Sequence, residues 1–189
     1  MEIALLRHGK PAVNSNSAVS ASQFSEWISR YDNSGLAENS APIKSSLEYA
    51  HACGVLACSS LLRSVQSAEI LSASQHLTQD KLFFEAGMPY AEWNALKLPP
   101  KYWAVLFRVL WYFGYSKNSE SYSDAKKRAS LAAQKLIVLA ETHRSVMLVG
   151  HGIFNRLIAK ELKSLGWCGP DNPGSKYWDF RVYKKSRYK

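Results

Sequence analysis

Short apolar runs that break off at polar or glycine residues recur along the chain: Ile3 to Leu6 ending at Arg7-His8-Gly9, Gly54 to Cys58 closed by Ser59-Ser60, and Ser145 to Val149 closed by Gly150-His151-Gly152. Runs this short, without polar alternation, predict strands buried on both faces. Helical spacing follows the second and third. Leu61, Leu62, Val65, Ala68, Ile70 and Leu71 form one apolar stripe; Ile153, Phe154, Leu157, Ile158, Leu162 and Leu165 form another. A longer helix is expected over Asp124 to His143, with Ala125, Ala129, Ala132, Leu136 and either Leu139 or Ala140 inward. Strands alternating with helices predict an α/β fold with a mostly parallel sheet, and Trp178 to Tyr183 adds a late strand.

Two segments fall outside this alternation, 10–46 and 85–122, one following the first strand and one following the second helix. Both follow candidate site residues, so both are expected as lid insertions. In the first, Ser20-Ala21-Ser22-Gln23 has the pattern of a capping box opening a helix through Trp27 and Tyr31. In the second, Tyr102, Trp103, Leu106, Leu110 and Phe113 follow Pro99-Pro100 at helical spacing. That stripe predicts a helix packed over the site, with a membrane-surface or partner-binding helix as the alternative.

Composition sets the bounds on this picture. A chain of 189 residues with 47% hydrophobic positions suffices for one domain, 1–189, with a substantial core. Lys and Arg outnumber Asp and Glu by 24 to 15, a formal charge of +9 that favours anionic partners. A phosphorylated substrate and a nucleic acid satisfy that charge equally. Much of the excess lies in the terminal run Tyr183 to Lys189, which reads as a solvated tail, and no nucleic-acid partner is expected. Cys53, Cys58 and Cys168 lack metal-ligand spacing and are odd in number, so neither a zinc site nor a disulfide framework is expected and the setting is read as cytoplasmic. The N-terminus lacks the pattern of a cleaved signal peptide, and no charge-free stretch reaches membrane-spanning length.

The candidate chemistry lies at the strand ends. Open α/β sheets bind ligands beyond the carboxyl ends of their strands, so Arg7, His8, Arg63 and His151 can converge despite their separation in sequence. Two arginines and two histidines at one rim form a cationic, donor-rich pocket suited to a phosphoryl group. Gly9 and Gly152 would let backbone and ligand approach closely. His51, His76 and His143 lack this context and are read as ordinary surface or helix-end residues.

These segments resemble the histidine phosphatase superfamily, also called the phosphoglycerate mutase-like family. Arg7-His8-Gly9 matches its Arg-His-Gly signature, Asn14 falls where the longer signature has a phosphate-contacting asparagine, and Ser59 to Glu69 is similar to its serine, leucine, arginine and Gln-Thr-Ala-Glu segment. Val146 to Gly152 resembles the strand leading to its second His-Gly. The resemblance implies a three-layer α/β/α fold, His8 as the nucleophile that becomes phosphorylated, and Arg7, Arg63 and His151 as holders of the phosphoryl group. It also implies a general acid following the second helix, where Glu85 stands, with Glu92 as the competing candidate. Apolar neighbours would keep Glu85 protonated until transfer. Lys10-Pro11 and Val13 depart from the family's usual Glu-Thr and tryptophan. Glu120-Ser121 resembles the Glu-Ser that commonly precedes the long helix.

The implied activity is a metal-independent phosphatase without cofactors, acting on a phosphorylated metabolite or phosphoprotein through phosphohistidine. A phosphoglycerate mutase and a non-catalytic phosphate-binding domain are the alternatives. The compact length and the absence of a mutase-like stretch after Glu85 weigh against a mutase.

Overall fold

The computed structural model describes residues 1–13, 17–72 and 76–185. In chain order the strands are β1 (Glu2–Arg7), β2 (Val19–Ser20), β3 (Val55–Cys58), β4 (Leu77–Gln79), β5 (Lys97–Leu98), β6 (Ser145–Gly150), β7 (Trp167–Cys168) and β8 (Phe180–Lys185). The helices are α1 (Ala21–Asp32), α2 (Lys44–Ala52), α3 (Leu62–Ser72), α4 (Pro100–Tyr112), α5 (Tyr122–His143) and α6 (Gly152–Ser164). A six-stranded sheet has the order β4-β3-β6-β1-β8-β7. Its β4, β3, β6 and β1 run parallel, while β8 is antiparallel to β1 and β7 to β8.

The central strands are apolar on both faces because both faces are covered. Ile3, Leu5, Val55, Ala57, Val146 and Leu148 turn to one side, against α5 and α6. Ala4, Leu6, Leu56, Cys58, Met147 and Val149 turn to the other, where Ala50 of α2 and Ala68 and Leu71 of α3 meet them. The result is the three-layer arrangement. In α5 the buried row is Ala125, Ala129, Ala132, Ala133, Leu136 and Ala140, so Ala140 takes the inward place left open between it and Leu139.

The two insertions pack on each other. β2 pairs antiparallel with β5, and Ala21 and Phe24 of α1 share a separate cluster with Ala91 and with Trp103 and Phe107 of α4. The capping box forms: Ser20 Oγ accepts from the Gln23 amide at 3.3 Å, and Gln23 Oε1 accepts from the Ser20 amide at 3.0 Å. No helix among the described residues is long and apolar enough to cross a membrane.

Several expectations are corrected. The inward row of α4 is Pro100, Trp103, Phe107, Arg108 and Trp111, whereas Tyr102, Leu106 and Phe113 are exposed. Of the expected stripe, Trp103 is buried and Leu110 packs partly buried against the same cluster, because the helix docks on α1 through the adjacent row. In α3, Leu62 and Ile70 face outward, and Arg63, Ser64 and Ser67 are buried. Leu165 lies just past α6 and is exposed. The last strand begins at Phe180; Trp178 stands before it at φ 65°, outside extended backbone. The helix α2 and the short strands β4 and β7 carried no sequence signal that set them apart from loops.

Candidate active site

Parallel register places three strand ends side by side. Arg7 pairs with Gly150 and Cys58 with Val149, and the His8 amide donates to the Gly150 carbonyl at 3.0 Å. Arg7 and His8 thus leave β1 beside His151, the N-cap of α6, and Ser59 after β3. The His8 and His151 ring centroids are 5.0 Å apart, and both rings are buried, with His8 1% exposed.

His8 Nδ1 lies 2.7 Å from the Gly9 carbonyl. A carbonyl only accepts, so Nδ1 carries the proton and Nε2 keeps its lone pair. Burial first, then the charge of His151 and Arg63, hold His8 well below the usual imidazole range; the Gly9 bond opposes this. His151 is held down likewise by burial, then by Arg63, Arg7 and Arg128. Its Nε2 lies 2.7 Å from Ser59 Oγ.

The guanidinium groups are partly engaged. Arg63 Nη1 donates to the Tyr31 and Asp32 carbonyls at 2.9 and 3.3 Å, and Nη2 to Asp32 Oδ1 at 3.1 Å. Arg7 Nη1 donates to the Ser175 carbonyl. A tyrosine ring lies against each guanidinium, Tyr177 at 4.2 Å from Arg7 and Tyr31 at 4.6 Å from Arg63. Tyr177 also lies 5.8 Å from the His8 ring. Arg7 Nε, Arg63 Nε, His151 Nδ1 and Ser60 Oγ are buried without a hydrogen-bond partner among the described residues. Buried donors of this kind are costly unless a ligand serves them.

The polar face of α3 builds the surroundings. Ser67 Oγ accepts from the Gly9 amide at 2.9 Å and donates to the Arg63 carbonyl at 2.6 Å. Ser64 Oγ donates to the Val149 carbonyl and accepts from the Ser59 amide. This explains why serines displace leucines from the inward row. Gly9 is required by close approach: a Cβ there would lie 2.4 Å from Trp178 Cζ2. At Gly152 a Cβ would meet nothing nearer than Arg7 Nε at 3.6 Å, so the protein's own packing does not demand that glycine.

Glu85 lines the cleft with Arg7, whereas Glu92 does not and instead pairs with Lys117 at 3.6 Å on the surface. The apolar setting expected for Glu85 is corrected. Its Oε1 accepts from the Ala86 and Phe154 amides at 2.9 and 2.8 Å, and Oε2 from the Ile153 amide at 3.3 Å, so the carboxyl sits on the N-terminus of α6. Arg128 steadies the same loop by donating to the Leu82, Phe84 and Glu85 carbonyls and to both oxygens of Glu120. Asn14 lies outside the described residues. His51, His76 and His143 are exposed and do not line the cleft. Sequence reasoning missed Tyr31, Asp32, Arg128 and Tyr177; no local motif distinguishes them, since each matters through a contact distant in sequence.

The profile of the histidine phosphatase superfamily (branch 1) matches residues 33–177. The chain belongs to this superfamily. The matched span takes in Arg63, Glu85 and His151; Arg7 and His8 precede it and join them through the pairing of β1 with β6. Comparison with curated protein sequences finds no match. Among solved structures, the fold is similar to a mycobacterial glucosyl-3-phosphoglycerate phosphatase complexed with VO3, at TM-score 0.62 and 19% identity over 96% of this chain and 90% of that one. It is also similar to a phosphoserine phosphatase variant from Entamoeba histolytica in complex with phosphoserine, at TM-score 0.54 and 15% identity over 86% and 80% of the two chains. At these identities the likeness is one of fold.

Proposed function

We propose that this protein is a phosphomonoester hydrolase that works without a metal, through a phosphohistidine on His8. The observation that carries this reading is the state of His8: Nδ1 is committed to the Gly9 carbonyl and burial keeps the ring neutral, so Nε2 is a ready nucleophile. The unpartnered donors Arg7 Nε, Arg63 Nε and His151 Nδ1 are suited to the equatorial oxygens, whose charge they would offset in the transition state.

In the first step His8 Nε2 attacks phosphorus and the ester P–O bond breaks. Glu85, entering as the acid, gives its proton to the leaving alkoxide. The three amide bonds favour the carboxylate, so Glu85 has to take up this proton as the anionic phosphate enters beside it; Oε2, with its single longer bond, is the oxygen free to carry it. In the second step Glu85 takes a proton from water as the water oxygen attacks phosphorus, the N–P bond breaks, and phosphate leaves. Tyr177 stands beside His8 and Asp32 holds Arg63 through Nη2, so the phosphoryl group would meet Arg63 through its free Nε and compete with Asp32 for the rest of the guanidinium.

The test is turnover of p-nitrophenyl phosphate and of alkyl phosphates in the presence of a chelator, with acid-labile phosphate trapped on His8 by rapid quench. Unchanged rate with chelator and a labelled His8 are expected. Loss of activity in the chelator, or isomerisation of a phosphoglycerate faster than phosphate release, would sink the reading.

A further inference from the structure

Beyond its phosphate end the cleft, about 790 Å³, is walled by one face of each insertion helix. From α1 come Trp27 and Ile28, and from α4 come Ala104, Val105 and Val109, with Met88 from the stretch of the second insertion that precedes α4. The charged groups on these walls are largely taken up. Arg108 donates through Nη1 and Nη2 to the Gly87 and Ala86 carbonyls at 3.0 and 3.1 Å and lies over the Trp111 ring, leaving only its buried Nε without a partner among the described residues, and Asp32 is paired with Arg63. A sugar, nucleoside or amino-acid moiety would leave most of its polar groups unmatched against such walls, which is costly.

The apolar wall does not stop at the cleft. Val105 and Val109 line it and are yet 64% and 47% exposed. Tyr102, Leu106, Tyr112 and Phe113 continue the apolar surface along the outward side of α4. A contiguous exposed apolar face beside a site points to an apolar ligand larger than the site itself.

Resting on the phosphatase reading above, we propose that the substrate is the monophosphate ester of a long-chain aliphatic alcohol. Its phosphate sits at Arg7 and His8, the first part of its chain lies between α1 and α4, and the remainder runs out past Val105 and Val109 onto the exposed face of α4. Lys101, at the start of α4 on the cleft wall, stands where the path meets solvent.

The experiment measures kcat/KM for ethyl, butyl, hexyl, octyl and decyl phosphate below their micellar concentrations, beside phosphoserine, glucose 6-phosphate and p-nitrophenyl phosphate. The expected result is a rise of about fourfold per methylene, as when each methylene leaves water for an apolar wall, levelling off once the cleft is filled. Val105→Asp, at an exposed position where folding is little affected, should flatten that rise. Turnover that depends on His8 but is flat with chain length, or a preference for phosphoserine or glucose 6-phosphate over octyl phosphate, would overturn the assignment while leaving the phosphatase reading intact. If no ester is turned over, that reading fails instead, and calorimetric binding of octylphosphonate against methylphosphonate decides the ligand class. Much tighter binding of the octyl compound with a negative heat-capacity change supports it, and equal affinity overturns it.

Discussion

Arg63 Nη2 donates to Asp32 Oδ1 across 3.1 Å, tying a fully buried guanidinium at the start of α3 to the last residue of α1. One arginine of the candidate site is thereby joined to the helix that walls the cleft. A phosphoryl group would compete with this carboxylate. Asp32→Asn should therefore bind inorganic phosphate or vanadate more tightly, by about fivefold for a half-exposed partner, and should lose stability when no anion is present. Calorimetry and thermal melts with and without phosphate provide the check, and unchanged affinity would show that the pair does not compete.

Tyr177 lies against Arg7 and beside the His8 ring, which is 1% exposed. Removing the ring by Tyr177→Ala should expose His8. Its modification by diethyl pyrocarbonate, followed by mass spectrometry, should become several-fold faster. A rate no different from the parent would mean that another group shields the nucleophile.

Glu85→Gln retains an oxygen for the Phe154 amide but has no proton to give. The expected loss is about a hundredfold or more on alkyl phosphates and small on p-nitrophenyl phosphate, whose leaving group needs little protonation. Thermal stability should fall modestly, by about 1 kcal/mol, because the new amide NH2 cannot accept from the Ile153 amide and the start of α6 loses its negative charge. Equal losses on both substrates would remove Glu85 from the acid's place.

The two glycines should part company. Gly9→Ala drives a methyl to 2.4 Å from the Trp178 ring and should cost about 1–3 kcal/mol in urea unfolding. Gly152→Ala meets only Arg7 Nε at 3.6 Å, so its stability should remain within about 0.5 kcal/mol while phosphate binding weakens. Similar destabilisation by both would contradict the packing at these positions.

His8 and His151 are held well below the usual imidazole range in the fold, chiefly by burial, whereas in the unfolded chain they titrate near about 6.5. Between those values the unfolded chain binds protons that the folded chain does not. Stability is therefore whole above roughly pH 7 and falls as pH drops through the unfolded value, by up to about 2.7 kcal/mol per pH unit for the pair. The double variant His8→Gln/His151→Gln should lose most of that slope in urea titrations between about pH 7 and 5. An unaltered slope would mean that the histidines are not buried neutral.

How far the site could be read from sequence varied with the reach of each contact. β1, β3, β6 and the helices after them were legible because strands buried on both faces must be apolar throughout and helices must repeat their apolar positions. The inward face of α3 was misread for the same reason: apolar spacing pointed to Leu62 and Ile70, but the buried face is occupied by Arg63, Ser64 and Ser67, whose hydrogen bonds justify burying them. In α4 nearly every row is apolar, so periodicity could not say which row packs, which lines the cleft and which remains exposed.

By itself the sequence determined the α/β alternation and the delivery of Arg7, His8 and His151 to strand ends, because those follow from local periodicity; Glu85 was singled out only through the family resemblance, and Arg63 stands on the first turn of α3. Only the tertiary structure decided that Tyr177 stands beside His8, that Asp32 holds Arg63, that the start of α6 receives Glu85, and that α1 and α4 make an apolar-walled cleft. Each of these rests on a contact between residues far apart in the chain. Such contacts are set by how whole elements dock, and no local pattern of residues encodes that.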